Sequence, residues 1–218
     1  MPFWSYILTA LAAYLLGSIP TGFLVAKAKG VDIRAAGSGN IGAANTMRVL
    51  GKPAGIFVLL VDAAKGYGAC ALGAFIVVWT SDLDFFDDAF YVLLKRFIVV
   101  AGIFAVLGHN YTCWLKFKGG KGIATTAGVY LALAPWAVLI ALVVFILAVL
   151  VTRYVSAGSI AAAVALPAAV WVITPHNLLL AIVTTALGAL AIYKHKSNIQ
   201  RLIAGTESRI GKKMEDKK

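Results

Sequence analysis

The sequence predicts an all-α, polytopic integral membrane protein with about seven transmembrane helices, short and broken ones included. Three observations carry that prediction. Hydrophobic residues make up 61% of the chain and charged residues only 13%. Several apolar runs reach the roughly 20 residues that span a hydrocarbon core, and the Lys and Arg gather in the connectors on alternate sides of those runs. The 218 residues read as a single transmembrane domain. A formal net charge of +11 is here a topology signal, and no soluble part remains to carry a nucleic-acid footprint.

The first apolar segment covers residues 3–26. No Lys or Arg precedes it, so it lacks the charged start of a secretory signal peptide and reads as a retained helix with its N-terminus outside. Pro20 and Gly22 bend or end it near the face marked by Lys27 and Lys29. Pro53 suits the first turn of a second helix, which runs to Trp79. A hydrophilic connector with Asp82, Asp84, Asp87 and Asp88 leads to a third span at 97–115, interrupted late by His109, Asn110 and Thr112. The apolar stretch at 123–134 is too short to cross untilted, and Pro135 breaks it. Spans at 136–152, 155–173 (with Pro167 inside) and 178–193 follow, and the tail from Lys194 is basic.

With the N-terminus outside, all the Lys and Arg except Lys65, Lys95 and Arg96 fall on one face. By the positive-inside rule that face is cytoplasmic and carries the C-terminus, and merging the short segments keeps the same parity. Three polar stretches lie on it. The first, GSGNIGAANTMR at 37–48, is the wrong composition for its surroundings: glycines, Ser38, Asn40, Asn45, Thr46 and Arg48 suit backbone and side-chain donors aimed at an anion. The second, KFKGGKG at 116–122, sets Gly119 and Gly120 between Lys118 and Lys121, with Gly122, Thr125 and Thr126 opening a helix. It is no P-loop, since GxxxxGK[ST] is absent and no strand precedes it. The third, KHKSNIQRLIAGTESRIG from Lys194, spaces His195, Asn198 and Arg201 three apart, on one face if helical, with Glu207 beyond. The histidine's pKa is tunable near neutrality.

These stretches resemble the three motifs of the bacterial membrane glycerol-3-phosphate acyltransferases that use acyl phosphate as donor, the PlsY family. GSIPTGFLVAKAKGVDIRAAGSGNIGAANTMRVLGK is similar to its first motif, GHNYTCWLKFKGGKGIAT to its second and HKSNIQRLIAGTE to its third, in order over nearly the whole chain. The resemblance implies transfer of a fatty acyl group from acyl phosphate to the 1-position of sn-glycerol 3-phosphate, giving lysophosphatidic acid and phosphate. It also implies a multi-pass protein of the bacterial inner membrane with its site on the cytoplasmic side. No cofactor or metal is implied, and the partners are the two substrates, the bilayer and functional coupling to an enzyme that produces acyl phosphate.

Carried over, Ser38, Arg48, Lys121, His195 and Asn198 are the candidate catalytic residues. Gly39, Asn40, Asn45, Gly119, Gly120, Gly122 and Glu207 are the candidate substrate and phosphate ligands. Acyl phosphate is already an activated mixed anhydride, so positioning and charge stabilisation suffice without an enzyme nucleophile. Lys121 and Arg48 suit phosphate charge, Ser38 and Asn198 orienting hydrogen bonds, and His195 or a substrate phosphate oxygen the general base. The sequence departs from the family at Thr112, where the second motif usually has proline, and in a long acidic outer loop at 81–88.

Other chemistries fit less well. No His is followed five residues later by Asp: Trp114, Ala181 and Gln200 stand there. The scattered His and the lone Cys70 and Cys113 lack metal or disulfide spacing. Asp62 and Lys65, i and i+3 within the second span, read as a structural pair supporting the first loop. A transporter for a phosphorylated solute is the rival class, against which stand the one-sided loops and the lack of an inverted repeat.

Overall fold

A computed structural model describes residues 3–210, and among them it is helical with no strand. Helices α1 (Phe3–Ser18) and α2 (Thr21–Ala28) are the broken first span, α3 (Ala43–Leu50) is short, and α4 (Lys52–Thr80) and α5 (Asp88–Asn110) are long. After a 3-10 turn at Cys113–Leu115 come α6 (Ile123–Leu133), α7 (Pro135–Thr152), α8 (Val155–Ile173), α9 (Leu178–Lys194) and α10 (Lys196–Ile203). Among the described residues, five segments are long and apolar enough to cross a membrane, and α9 with α10, bent by 55°, makes a sixth if the pair is taken as one span. The apolar α6 is the seventh expected segment; at 11 residues it reaches only about 16 Å.

Proline explains the first break. Pro20 has no N–H, and the residue before a proline is pushed out of the helical region. The chain restarts at Thr21, and α2 then stops in a Schellman turn: Val31 N–H donates to Ala26 O and Gly30 N–H to Lys27 O, with Gly30 at φ +73°. The third span starts earlier than its apolar run: Asp87 caps α5 by accepting the Ala89 N–H at 2.8 Å, with Asp88 in the first turn. Lys95 and Arg96 therefore lie inside the helix rather than before it. Pro135 opens α7, where its missing N–H costs nothing.

The helices form two compact units, Met1–Pro135 and Trp136–Lys218. In the first, small residues let helix backbones touch, the usual solution where lipid removes any hydrophobic drive between helices. A Cβ on Gly17 would overlap the Ala105 carbonyl, one on Gly66 the Thr125 carbonyl and one on Gly128 the Ala63 carbonyl. These positions seat α1 on α5 and α6 on α4. At the far end from the polar loops, Ile76, Val77, Phe90 and Phe97 form a core with the Tyr6 ring, whose centroid is 4.1 Å from that of Phe97. In the second unit α8 packs on α9, while Leu142, Ile146, Leu150 and Val151 of α7 are exposed, as a lipid-facing helix requires.

Thr112 replaces the expected proline with a side-chain contact. Its hydroxyl donates to the Ser18 carbonyl at 2.6 Å, and Tyr14 Oη donates to the Tyr111 carbonyl at 2.6 Å. The end of α5 is thereby held against α1, and the chain still leaves the helix there.

Candidate active site

The first polar run is only half a loop. From Ala43 it becomes α3, which places Arg48, half-buried, in the helix's last turn. Asn45 sits buried in the first turn of α3 and holds the preceding residues in shape. Its Nδ2 is shared among the carbonyls of Ile33 (3.3 Å), Ala36 (3.0 Å) and Asn40 (2.9 Å), and its Oδ1 accepts the Ser38 N–H at 2.8 Å. Gly39 N–H donates to Ala36 O at 3.0 Å and Gly42 N–H to Asn40 Oδ1 at 2.9 Å. Gly37 and Gly39 lie at φ +59° and +71°, where a side chain would be strained.

This geometry corrects part of the sequence reading. The backbone N–H groups of Ser38 and Gly39 do not converge on an external anion, because they close the loop itself. Asn45 holds the loop from inside, its carboxamide being bonded at both ends. The Ser38 side chain is exposed, while Asn40 and Arg48 are half-buried. Arg34 belongs to the loop's own fold: its guanidinium binds both oxygens of Asp32 at 2.9 and 2.8 Å and stacks on Phe23. The side-chain hydrogen bond from Arg34 holds the Asp32 carboxyl well below its usual range, at about 2.

The second loop is glycine-rich for a reason the sequence did not show. Gly119 N–H donates to Asn110 O at 3.2 Å and Gly120 N–H to His109 O at 3.0 Å. A Cβ on Gly119 would overlap the His109 carbonyl, and one on Gly120 would overlap His109 Nε2. The two glycines therefore lay the loop flat against the end of α5, and the expectation that they cradle phosphate with their N–H groups is replaced by close packing. Gly122, at φ +82°, turns the chain into α6. Lys118 is exposed, whereas Lys121 is half-buried, one residue before that N-cap. The two loops are neighbours: Ile41 of the first and Leu115, just before the second, share a small core with Ala26 and Ile33.

The third motif lies in the second unit. His195 sits at the α9–α10 junction, buried, with Nδ1 2.7 Å from the Ala191 carbonyl. A carbonyl only accepts, so Nδ1 carries the proton and, in the neutral ring, Nε2 carries the lone pair. Asn198 and Arg201 share a face of α10 as expected, and both meet Glu207: Asn198 Nδ2 donates to Oε1 at 2.8 Å and Arg201 Nε to Oε2 at 2.7 Å. Ser156 of α8 also donates to Oε1, at 3.0 Å.

Glu207, which the sequence reading placed among the substrate ligands, has both carboxylate oxygens bonded by these side chains. A carboxylate only accepts hydrogen bonds, so it orients their donors. Ser156 escaped sequence reasoning, since nothing local links it to a glutamate so far along the chain; the i, i+3 spacing did point to Arg201.

Burial alone would raise the Glu207 carboxyl, but hydrogen bonds from Arg201, Asn198 and Ser156, with the Arg201 charge, outweigh it and lower the pKa. A folded-state pKa below the unfolded value gives stability that is present above the ordinary carboxylate range and lost as pH falls through the lowered value. Glu207→Gln should therefore be less stable than the parent by about 1–3 kcal/mol at neutral pH, with the gap closing below about pH 4. Apparent melting temperatures in detergent against pH check this; a gap that does not narrow at all as the pH is lowered through the acid range would show that charge is not what holds the motif.

Comparison with known proteins meets this geometry. The family described as glycerol-3-phosphate acyltransferase matches residues 7–205. The chain is 47% identical to the glycerol-3-phosphate acyltransferase of Geobacter sulfurreducens, covering 93% of this chain and 96% of that one. It is 44% identical to the Clostridioides difficile enzyme of the same name over 99% of this chain and 100% of the other. Among solved structures, PlsY (YgiH), an integral membrane glycerol 3-phosphate acyltransferase, aligns with a TM-score of 0.81 at 38% identity in its glycerol 3-phosphate form, covering 95% of this chain and 96% of that one. A lysophosphatidic acid form of the same protein aligns with a TM-score of 0.78 at 37% identity, with the same coverage. A multi-span helical fold, the three polar motifs in order and these likenesses over almost the full length agree: the chain belongs to the glycerol-3-phosphate acyltransferase family, as an integral membrane enzyme.

Proposed function

We propose that the chain transfers a fatty acyl group from acyl phosphate to the 1-hydroxyl of sn-glycerol 3-phosphate, releasing inorganic phosphate and giving lysophosphatidic acid. The observation that carries this reading is the half-buried Lys121, placed between a packed glycine pair and the N-terminus of α6, in a chain whose structural relative is described with glycerol 3-phosphate. An ammonium beside the positive end of a helix dipole is suited to a phosphate dianion. Arg48 supplies a second cation and Ser38 and Asn40 supply short donors.

The attacking hydroxyl oxygen forms the new ester bond to the acyl carbon, and the anhydride C–O bond breaks with its electrons going to the departing phosphate. The main task of the protein is to stabilise that charge and hold the acceptor in place. Its proton goes either to His195, whose Nε2 carries the lone pair, or to a phosphate oxygen of the substrate. The pH profile of His195→Gln distinguishes the two: a retained profile with reduced rate assigns the base to the substrate. Asn198, oriented by Glu207, contributes a hydrogen bond. The distribution of Lys and Arg supports a cytoplasmic face for the three motifs and an outward N-terminus, and the family likeness supports the bacterial inner membrane and supply of the donor by an enzyme that makes acyl phosphate.

The donor is the testable part. Purified protein in detergent, with no gradient, should convert labelled glycerol 3-phosphate with acyl phosphate, and at least about 100-fold more slowly with acyl-CoA, a difference of roughly 2.7 kcal/mol in barrier. Equal turnover with both donors would overturn the assignment.

A further inference from the structure

Beneath the two loops of the first unit lies a charged group that the chemistry above does not use. Asp62 and Lys65 stand i, i+3 on α4 with side chains only 3% and 4% exposed, and their charged atoms are 2.8 Å apart. Asp62 Oδ1 also accepts from Thr21 Oγ1 at 3.1 Å and lies 3.7 Å from His109 Nδ1. Lys65 Nζ donates to the Ile19 carbonyl at the break between α1 and α2, 2.8 Å away. Charges at such depth are expensive and are kept paired. A matched apolar pair of similar volume is often no less stable than a buried ion pair, so the presence of this one points to what it positions.

It reaches both loops. Thr21 is the first residue of α2, and its neighbour Gly22 is in contact with the first loop, since a Cβ there would overlap the Ile41 carbonyl and come within 2.9 Å of Thr46 Oγ1. On the other side, the His109 ring lies directly under Gly120, and the His109 carbonyl takes the Gly120 N–H. We infer that Asp62, held by Lys65, fixes the 37–48 and 116–122 loops against one another through Thr21 and His109. The four are positioning residues that set Ser38 and Arg48 relative to Lys121. This is more than the support of the first loop alone that the sequence suggested, and it rests on the phosphate-handling role proposed for those loops.

The test pairs kinetics with a distance. Asp62→Asn/Lys65→Met removes both charges together at similar volume; Thr21→Val and His109→Gln remove one arm each. Turnover and KM for glycerol 3-phosphate are measured with acyl phosphate, beside the apparent melting temperature. The distribution of distances between spin labels on Ala44→Cys and Lys118→Cys is measured in the same backgrounds, after replacement of Cys70 and Cys113. The double variant should keep a melting temperature within about 3 °C of the parent while turnover per folded protein falls on the order of 10- to 100-fold, since a displacement of roughly 1 Å carries such a cost. Its label distribution should broaden or shift. The single variants should show smaller changes of the same kind and serve alone if the double variant does not fold. Unchanged distributions with parental turnover and KM would overturn the inference. If the parent itself makes no product, the acyl-phosphate reading fails and the label distances still decide the positioning role.

Discussion

Lys121→Ala should lose on the order of 30- to 1000-fold in turnover, while Lys118→Ala stays within a few-fold. Both substitutions remove one positive charge from the same short loop, so a loop that served only to mark the cytoplasmic side would treat them alike. The structure separates them. Lys118 is exposed, and a charge there is screened by solvent and salt. Lys121 is half-buried immediately before Gly122 caps α6, where a charge-assisted hydrogen bond to developing phosphate charge is worth about 2–4 kcal/mol. Lys121→Arg should remain impaired, because a planar fork does not replace a compact ammonium in a close site. Steady-state kinetics on variants that purify like the parent check this. Equal activity of Lys121→Ala and Lys118→Ala would leave Arg48 as the main phosphate ligand.

Asn45→Asp should be nearly as damaging although it changes little in shape. The carboxamide donates to three backbone carbonyls while accepting the Ser38 N–H. An aspartate there would turn a buried donor into an acceptor facing carbonyl oxygens and add a charge without a partner. The cost is about 3–5 kcal/mol, enough to unfold the loop locally and lower turnover by more than about 100-fold. Ser38→Ala is the contrast, lowering turnover with no change in the apparent melting temperature, because the exposed hydroxyl is not part of the loop's own bonding. If Asn45→Asp keeps parental turnover and melting temperature, the loop is held by something other than this carboxamide.

Several elements were legible because their signals are local. The order of the apolar segments, the break at Pro20, the start of α7 at Pro135 and the helical spacing of Asn198 and Arg201 all follow from residues within a turn or two of one another. The start of α5 was also written in the chain, as Asp87 followed by Asp88, but Lys95 and Arg96 hide it from a reading based on apolar runs alone. The helix from Ala43 was obscured by the polar, glycine-rich run in which it lies.

By itself the sequence determined an all-helical membrane protein and its family through three ordered motifs. Segment length and apolarity settle what can cross a bilayer, and motifs are contiguous, so both survive projection onto one dimension. Only the tertiary structure decided which polar groups serve the fold and which face outward. Asn45 with the carbonyls of Ile33 and Ala36, Glu207 with Ser156, His109 with Gly120 and Asp62 with Thr21 are pairings made by packing. A buried donor or acceptor must find a partner wherever the chain brings one, and that partner is not written beside it.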